Sequence, residues 1–228
     1  MNPTPPLAER LALVFTPAER RPAAAALETV LSEIAASLAP SLDHTVAHTR
    51  LGWWREEVGR LLRGQPLHPA CRALLAAAPQ ARYARLEGVL AATEFQLAGH
   101  APTDETALAT LIEHLYGAPE TLRAEVLLNG TDPRLDAFGR ALGTAFGYTE
   151  VALAAPGAPA AGDLARVKDA LAGLVPTPSL ALAERPGLVR AALLAARLTP
   201  GGLQPPPGPL TSLWIAWRCA RRHRLELP

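Results

Sequence analysis

Apolar residues recur at helical spacing from the first part of this chain onward. The clearest series is Leu27, Val30, Leu31, Ile34 and Leu38. Steps of three and four residues place side chains on one face of a helix. The pattern predicts a helix that begins near residue 17 and ends at Pro40. Its start, Thr16-Pro-Ala-Glu19, has the form of a capping box, in which the Thr16 hydroxyl accepts from the Glu19 amide.

The same periodicity predicts further helices along the remaining chain. They are expected at about 43–63, after His68-Pro69, and at 79–96, 103–115, 119–128, 133–154, 163–174 and 179–198, with a last one carrying Leu213, Trp214 and Trp217. Two stretches lack the pattern. Ala155–Gly162 is predicted to be a flexible connection, and the proline-rich stretch 199–209 cannot be helical.

Strand-favouring runs of β-branched and aromatic residues are absent, and no internal repeat is visible. The sequence therefore predicts an all-α protein, an orthogonal multi-helix bundle around a central cavity or core. A chain of 228 residues can bury a core that needs no disulfide or metal. The simplest organisation is a single domain over residues 1–228.

Charge and cysteine content narrow the classes of function. A formal net charge of +1 gives no general attraction to nucleic acid, so no nucleic-acid partner is expected. Cys71 and Cys219 have no metal-ligand spacing, as in a reduced cytoplasmic protein. No signal peptide and no apolar run long enough for a transmembrane segment is visible. We expect a cytoplasmic protein, and peripheral contact with an inner membrane stays open.

The most specific motif lies in the second predicted helix and after it. Leu51-Gly-Trp-Trp-Arg-Glu-Glu57, followed by Gly64-Gln-Pro-Leu-His-Pro-Ala-Cys-Arg-Ala-Leu74, resembles the W-W-R-E-x-L … G-x-P-x-H-P-V-x-R-A-L signature of the squalene and phytoene synthase family. The matching positions are Trp53, Trp54, Arg55, Glu56, His68 and Pro69. The resemblance implies the isoprenoid synthase fold, and a structural role for these residues is the favoured interpretation.

The two tryptophans illustrate that interpretation. Adjacent residues on a helix point about 100° apart, so we expect Trp54 to pack in the core and Trp53 to lie under a neighbouring helix. The alternative is that their rings line a pocket for a prenyl chain. For Arg55 we expect an ion pair with Glu28 or Glu33 on the preceding helix.

The enzymes of this family hold Mg²⁺ ions and a prenyl diphosphate with two aspartate-rich motifs. When the first motif is laid on this chain from Ala26, its glutamate falls on Glu33. Its aspartate positions fall on Ala35, Ala36 and Ala39. All three carboxylates are therefore missing.

The second motif aligns with Leu142-Gly-Thr-Ala-Phe146 and Thr149. Its glutamine, Asn/Asp, arginine and last aspartate become Gly147, Glu150, Leu153 and Ala154. A diphosphate buried without metals or paired cations costs several kcal/mol. The substitutions therefore predict loss of prenyl-diphosphate binding, with no catalytic residue, no metal and no cofactor.

Two functional hypotheses from different classes follow from the resemblance. The first is a non-catalytic family member with a scaffold, assembly or lipid-binding role, whose partner is an unidentified protein or an apolar lipid. A branch of the family with degraded aspartates acts in assembly of respiratory complex I in mitochondria. The alternative is an isoprenoid-diphosphate transferase, in which Glu33, Glu150 and Glu28 hold Mg²⁺ in a rearranged site.

Under the first hypothesis, the space between the two former motif helices should be closed by apolar side chains. An empty polar cavity offers no stability once its ions are gone. A lipid-sized cavity deeper in the bundle, which would allow a lipid-carrier role, stays open. Glu33 and Glu150 are the polar groups that would line any cavity that persists.

Two further groups of residues are weak candidates for a metal site or a docking site. His44 and His48 stand at the spacing of a metal pair, but no third ligand is evident, so an exposed helix face is favoured. The arginines between Arg218 and Arg224 are expected to complement the dipole of the last helix. Docking of these arginines on an acidic partner or a lipid surface stays open.

Overall fold

The computed structural model describes residues 7–154, 160–199 and 202–225. Its α-helices are α1 Leu7–Val14, α2 Arg21–Ala35, α3 His44–Leu62, α4 Pro69–Ala77, α5 Arg85–Leu97, α6 Glu105–Ile112, α7 Ala118–Leu128, α8 Pro133–Ala154, α9 Ala161–Ala172, α10 Ala181–Ala195 and α11 Pro209–Arg222. Short 3₁₀ turns span Ala18–Arg20, Ala36–Leu38 and Pro178–Leu180, and Glu113–Gly117 is a π-helical turn. The strands β1 Leu198–Thr199 and β2 Gly202–Leu203 form a small antiparallel ribbon. The all-α class is confirmed.

Local sequence explains where several helices begin and end. The Asp43 carboxylate accepts hydrogen bonds from the amides of Thr45 at 2.9 Å and Val46 at 3.3 Å, and so caps α3. Gly64 follows α3 with a φ of +75°, a conformation that glycine adopts without strain. Most of the predicted flexible connection, residues 155–159, lies outside the described residues, and α9 already begins at Ala161.

The predicted capping box is wrong. The Thr16 hydroxyl donates to the Ala12 carbonyl oxygen at 3.1 Å, so it continues the hydrogen bonding of α1. Pro17 precedes the 3₁₀ turn Ala18–Arg20 without a side-chain cap, and α2 begins only at Arg21.

The helix predicted from residue 79 begins six residues later, at Arg85. Hydrogen bonds that do not belong to a helix hold the intervening segment in turns. The Tyr83 hydroxyl lies 2.8 Å from the carbonyl oxygens of both Leu74 and Ala78. The Arg82 amide donates to the Glu125 carboxylate at 2.8 Å. These tertiary hydrogen bonds prevail over local helix propensity.

The two largest of the four buried clusters that the described residues form make up most of the core. One joins α2, α3, α4 and α5 around Trp54, and the other joins α8, α9 and α10 around Leu142. Helix α7 packs against α2, α5, α8 and α10 and so lies between the two clusters. A Cβ atom at Gly143 would lie 2.2 Å from the Gly117 nitrogen, so this glycine lets α8 approach the π-helical turn closely. The candidate site lies where α7 packs between α2 and α8.

None of the helices in the described part of the chain is both long enough and apolar enough to cross a bilayer.

Candidate functional site

A cavity of about 710 Å³ lies between α2 and α8. Leu31 and Ala35 of α2 border it on one side, and Phe146 and Glu150 of α8 border it on the other. The prediction that apolar side chains close this space is wrong. Helix α7 packs against both α2 and α8, and it holds the two former motif helices apart.

A second cavity of about 860 Å³ adjoins the first and reaches Glu33, Ala36 and Arg50. The two cavities share one wall of polar side chains. Its members are Glu9, Glu28, Ser32, Glu120, Arg123 and Arg190.

Five of these six residues form a connected ion cluster, Glu9–Arg190–Glu120–Arg123–Glu28, hereafter the central ion cluster. Arg123 donates to both oxygens of Glu28, at 2.6 and 2.8 Å, and to Glu120 at 2.8 Å. Arg190 donates to the other oxygen of Glu120 and, at 3.1 Å, to Glu9. The cluster ties α1, α2, α7 and α10 together.

Burial and charge act against each other in the central ion cluster. Burial works to raise the pKa of Glu28, but the charge of Arg123 and its hydrogen bonds outweigh burial and lower that pKa below its ordinary value. Burial likewise works to lower the pKa of Arg123, yet Glu28 and Glu120 raise it well above the ordinary value. Both groups are therefore charged at neutral pH, and they satisfy each other inside the protein.

The three alanines of the first motif do not share one site. Ala35 borders the first cavity, Ala36 borders the second, and Ala39 lines neither of them. Ala39 follows the 3₁₀ turn Ala36–Leu38 in an extended conformation.

The four positions of the second motif likewise do not share one site. Gly147 is buried against Ile112, where a Cβ atom would lie 2.5 Å from a methyl carbon. Leu153 and Ala154 are exposed, and Glu150 lies at the edge of the first cavity. Within residues 7–154, 160–199 and 202–225, no three His, Cys, Asp or Glu side chains are grouped so that they could hold a metal ion.

The glutamates of the rearranged metal site are not brought together. Glu33 lies in the second cavity, 3.8 Å from Arg50 and 3.7 Å from the His68 ring. Glu150 borders the first cavity, and Glu28 is held by both of its oxygens to Arg123. Glu33 and Glu150, the two expected cavity groups, therefore border different cavities.

The signature tryptophans differ in burial. Trp54 is 1% exposed, as expected of a core residue. Trp53, expected under a neighbouring helix, is instead 41% exposed and meets the His68 ring edge-on. Neither tryptophan lines either of the two cavities. Pro69 is the first residue of α4, where its fixed φ suits a helix start.

The ion pair expected for Arg55 is wrong. Arg55 binds Glu94 on α5, because α3 packs against α5 along this side. Glu28 is already held by Arg123, and Glu33 lies near Arg50. Glu56 is exposed and lies 3.4 Å from Arg60.

The Glu57 side chain of the signature is fully buried, and its hydrogen-bond partners were not predicted from the sequence. Its carboxylate accepts hydrogen bonds from the amides of Leu67 at 2.8 Å and His68 at 2.7 Å, and from Arg60 at 2.8 Å. Burial works to raise the pKa of Glu57, but these hydrogen bonds outweigh it and lower the pKa. Glu57 therefore fixes the loop between α3 and α4. In the sequence, the position of Glu57 directly after Trp53-Trp54-Arg55-Glu56 is the feature that could have pointed to a structural role for its side chain.

Neither the Cys71 thiol nor the His44–His48 pair is suited to catalysis or metal binding in this structure. Burial, together with the neighbouring Glu57, raises the pKa of the Cys71 thiol to about 12, so it is a poor nucleophile at neutral pH. His44 and His48 are exposed, with ring nitrogens 3.0 Å apart, and no third ligand joins them among the described residues.

The helical architecture is that of the isoprenoid synthases. It matches a dehydrosqualene synthase crystallised with a ligand at a TM-score of 0.69 and 10% identity, over 95% of this chain and 91% of that one. It also matches the squalene synthase HpnC from Alicyclobacillus acidocaldarius at a TM-score of 0.60 and 15% identity, over 95% of this chain and 89% of that one.

At the level of sequence, the profile of the squalene/phytoene synthase family matches residues 10–163. The chain therefore belongs to the squalene/phytoene synthase family. No curated protein matches its sequence significantly.

Proposed function

We propose that this chain is a non-catalytic member of its family that binds an apolar lipid in the first cavity. One observation carries the proposal. The cavity persists between the former motif helices, but alanine stands at the first-motif position that borders it, and the carboxylates of Glu28 and Glu120 in its wall are bound to arginines.

The size and lining of the cavity support a hydrocarbon ligand. A volume of about 710 Å³ lies within the range of roughly 300–1,000 Å³ that is usual for small-molecule sites. Apolar side chains from several helices line it, including Leu31, Leu38, Val89, Phe146, Leu193 and Leu194. Burial of a flexible isoprenoid chain against them would be driven by the hydrophobic effect.

The charges of the wall disfavour a diphosphate. The central ion cluster contains three carboxylates and two guanidinium groups, and each guanidinium already binds carboxylates. A diphosphate placed here would meet an excess of negative charge in a buried setting, where desolvation is costly. Transfer chemistry would need metal ions to offset that charge. The separation of Glu33 from Glu150 argues against the rearranged metal site.

A scaffold or assembly role is compatible with lipid binding, since an occupied cavity stabilises the fold by mass action. A role in assembly alone does not require an open cavity between α2 and α8. The cavity therefore favours lipid binding as the primary activity.

Retention of radiolabelled farnesol on gel filtration tests the proposal. Ala35→Phe places a ring at the cavity edge, and we expect retention to fall at least tenfold. Ala91→Phe, on an exposed position of α5 that lines neither cavity, is the matched control and should retain farnesol within about twofold of the wild type.

Circular dichroism verifies that both variants fold. If the wild type retains no farnesol, or if Ala35→Phe binds as well as Ala91→Phe does, the proposal is wrong. Binding of farnesyl diphosphate that requires Mg²⁺ and is lost in Glu150→Gln would favour the transferase instead.

A further inference from the structure

Helix α11 has one face in the core and one face without cover among the described residues. Ser212, Ala216, Cys219 and Ala220 are buried, and the helix packs against α10 and α1 through this side. Ile215 also packs against the core, whereas Leu213, Trp214 and Trp217 belong to the opposite side. That side is not the solvated polar surface that an outer helix usually presents.

Large apolar side chains follow one another along the uncovered face. The exposed fractions are 83% for Leu210, 46% for Leu213, 53% for Trp214 and 48% for Trp217. Steps of three and four residues align these positions in one stripe, hereafter the α11 stripe. Four large apolar residues on one short helix exceed the scattered exposure that is normal for a protein surface.

Arginines accompany the tryptophans on the same face. The Arg218 guanidinium lies 4.2 Å from the Trp214 ring centroid, and the Arg221 guanidinium lies 5.3 Å from the Trp217 ring centroid. Helix α11 contains no Asp or Glu from Pro209 to Arg222. The face therefore combines apolar rings with positive charge and lacks acidic residues.

The beginning of α11 also borders the first cavity. Pro206 and Pro207, just before α11, and Ser212 on the buried face of its first turn contribute to the lining of that cavity.

We infer that the α11 stripe docks on the surface of an anionic phospholipid bilayer. Tryptophan is favoured where an apolar interior meets polar headgroups. Arginine stems extend along apolar surface while their charged ends reach anionic headgroups. Helices of this composition lie in the plane of the interface and do not span the membrane. The charge favours anionic lipid over an apolar protein groove, because such a groove offers no negative charge to Arg221 on the exposed face.

Sedimentation with phospholipid vesicles tests this inference on the full chain. Binding is expected with vesicles of phosphatidylcholine and phosphatidylglycerol in a ratio of roughly two to one, and much less with phosphatidylcholine alone. Salt should weaken the binding, since it screens exposed charges.

Variants separate the apolar and the charged contributions. We expect Trp214→Ser/Trp217→Ser to bind at least tenfold more weakly to either kind of vesicle. Arg221→Gln should bind about fivefold more weakly to anionic vesicles and be little changed on phosphatidylcholine. Val46→Ser/Leu62→Ser, on α3, replaces two similarly exposed apolar residues and should bind as the wild type does.

Three results would overturn the inference. They are a wild type that binds no anionic vesicle, a Trp214→Ser/Trp217→Ser variant that binds normally, and a stripe that instead joins two copies of the chain. Sedimentation equilibrium without lipid detects the last case, because the wild type would then be a dimer and the double variant a monomer. Since the vesicle assay contains no farnesol, its failure is distinct from failure of the proposed lipid binding.

Discussion

Two regions of this chain align with motifs of the family, and they differ in what they retain. The signature region of α3 and α4 keeps the family's residues, whereas the region of α2 and α8 that aligns with the aspartate-rich motifs does not. In the signature region, Trp54 and Glu57 are buried, and the hydrogen bonds of Glu57 position the loop that leads into α4. In the motif region, the positions that align with the aspartates of the first motif are Ala35, Ala36 and Ala39. Buried signature residues therefore support this fold, and the fold forms with alanine at the three positions that align with the first motif.

Both regions contain carboxylates that are buried or half-buried, but the groups that bind these carboxylates differ. Glu57 is held by two backbone amides and a nearby arginine within eleven residues of the chain. Glu28 and Glu120 are held by Arg123 and Arg190 across up to 95 positions. A local loop needs the first carboxylate, whereas the packing of four helices around a cavity needs the others.

The largest expected effect lies in the signature region. Trp54→Ala should lower the free energy of unfolding by roughly 3–5 kcal/mol, the range for deletion of a large buried aromatic side chain. Urea titration measures this loss. A loss below about 1 kcal/mol would mean that Trp54 does not stabilise the buried cluster of α2, α3, α4 and α5.

A smaller loss is expected for Glu57→Gln. The amide keeps the shape of the side chain but cannot accept from Leu67, His68 and Arg60 as a carboxylate does. We expect a loss of roughly 1–3 kcal/mol. Glu56→Gln changes the exposed neighbour and should leave urea unfolding nearly unchanged. Equal effects of the two substitutions would contradict the structural role of Glu57.

The pH dependence of stability compares the two carboxylates directly. The folded state lowers the pKa of both Glu28 and Glu57 from the ordinary value of 4.5. Their contribution is therefore present above about pH 4.5 and is lost as the pH falls through the lower, folded-state pKa. Unfolding titrations from pH 6 to pH 3 should show a shallower decline for Glu28→Gln and for Glu57→Gln than for the wild type. A wild-type slope in both variants would show that neither pKa is lowered.

The smallest effect is expected at the exposed histidine pair. His48→Ala should change the free energy of unfolding by no more than about 0.5 kcal/mol, because its ring contacts only the neighbouring His44 among the described residues. A larger loss in urea titration, or stabilisation by Zn²⁺ that disappears in His48→Ala, would reveal a role that the structure does not indicate.

Local patterns predicted the helices well and the contacts between them poorly. The extent of α3 followed from Asp43, its apolar spacing and Gly64. The partner of Arg55 and the central ion cluster could not be predicted, because their members come together only when distant helices pack. The open cavity was missed for the same reason, since it depends on where α7 lies. The start of α5 was missed because tertiary hydrogen bonds of Tyr83 and Arg82 replaced a helical turn.

Diphosphate release tests the central claim most directly. Purified protein is incubated with farnesyl or geranylgeranyl diphosphate and with Mg²⁺ or Mn²⁺, and the released diphosphate is measured. We expect none above the protein-free background, because the metal-binding carboxylates are replaced at Ala35, Ala36, Ala39 and Ala154. Metal-dependent release that disappears in Glu150→Gln would contradict this claim and establish the chain as an enzyme with a rearranged site.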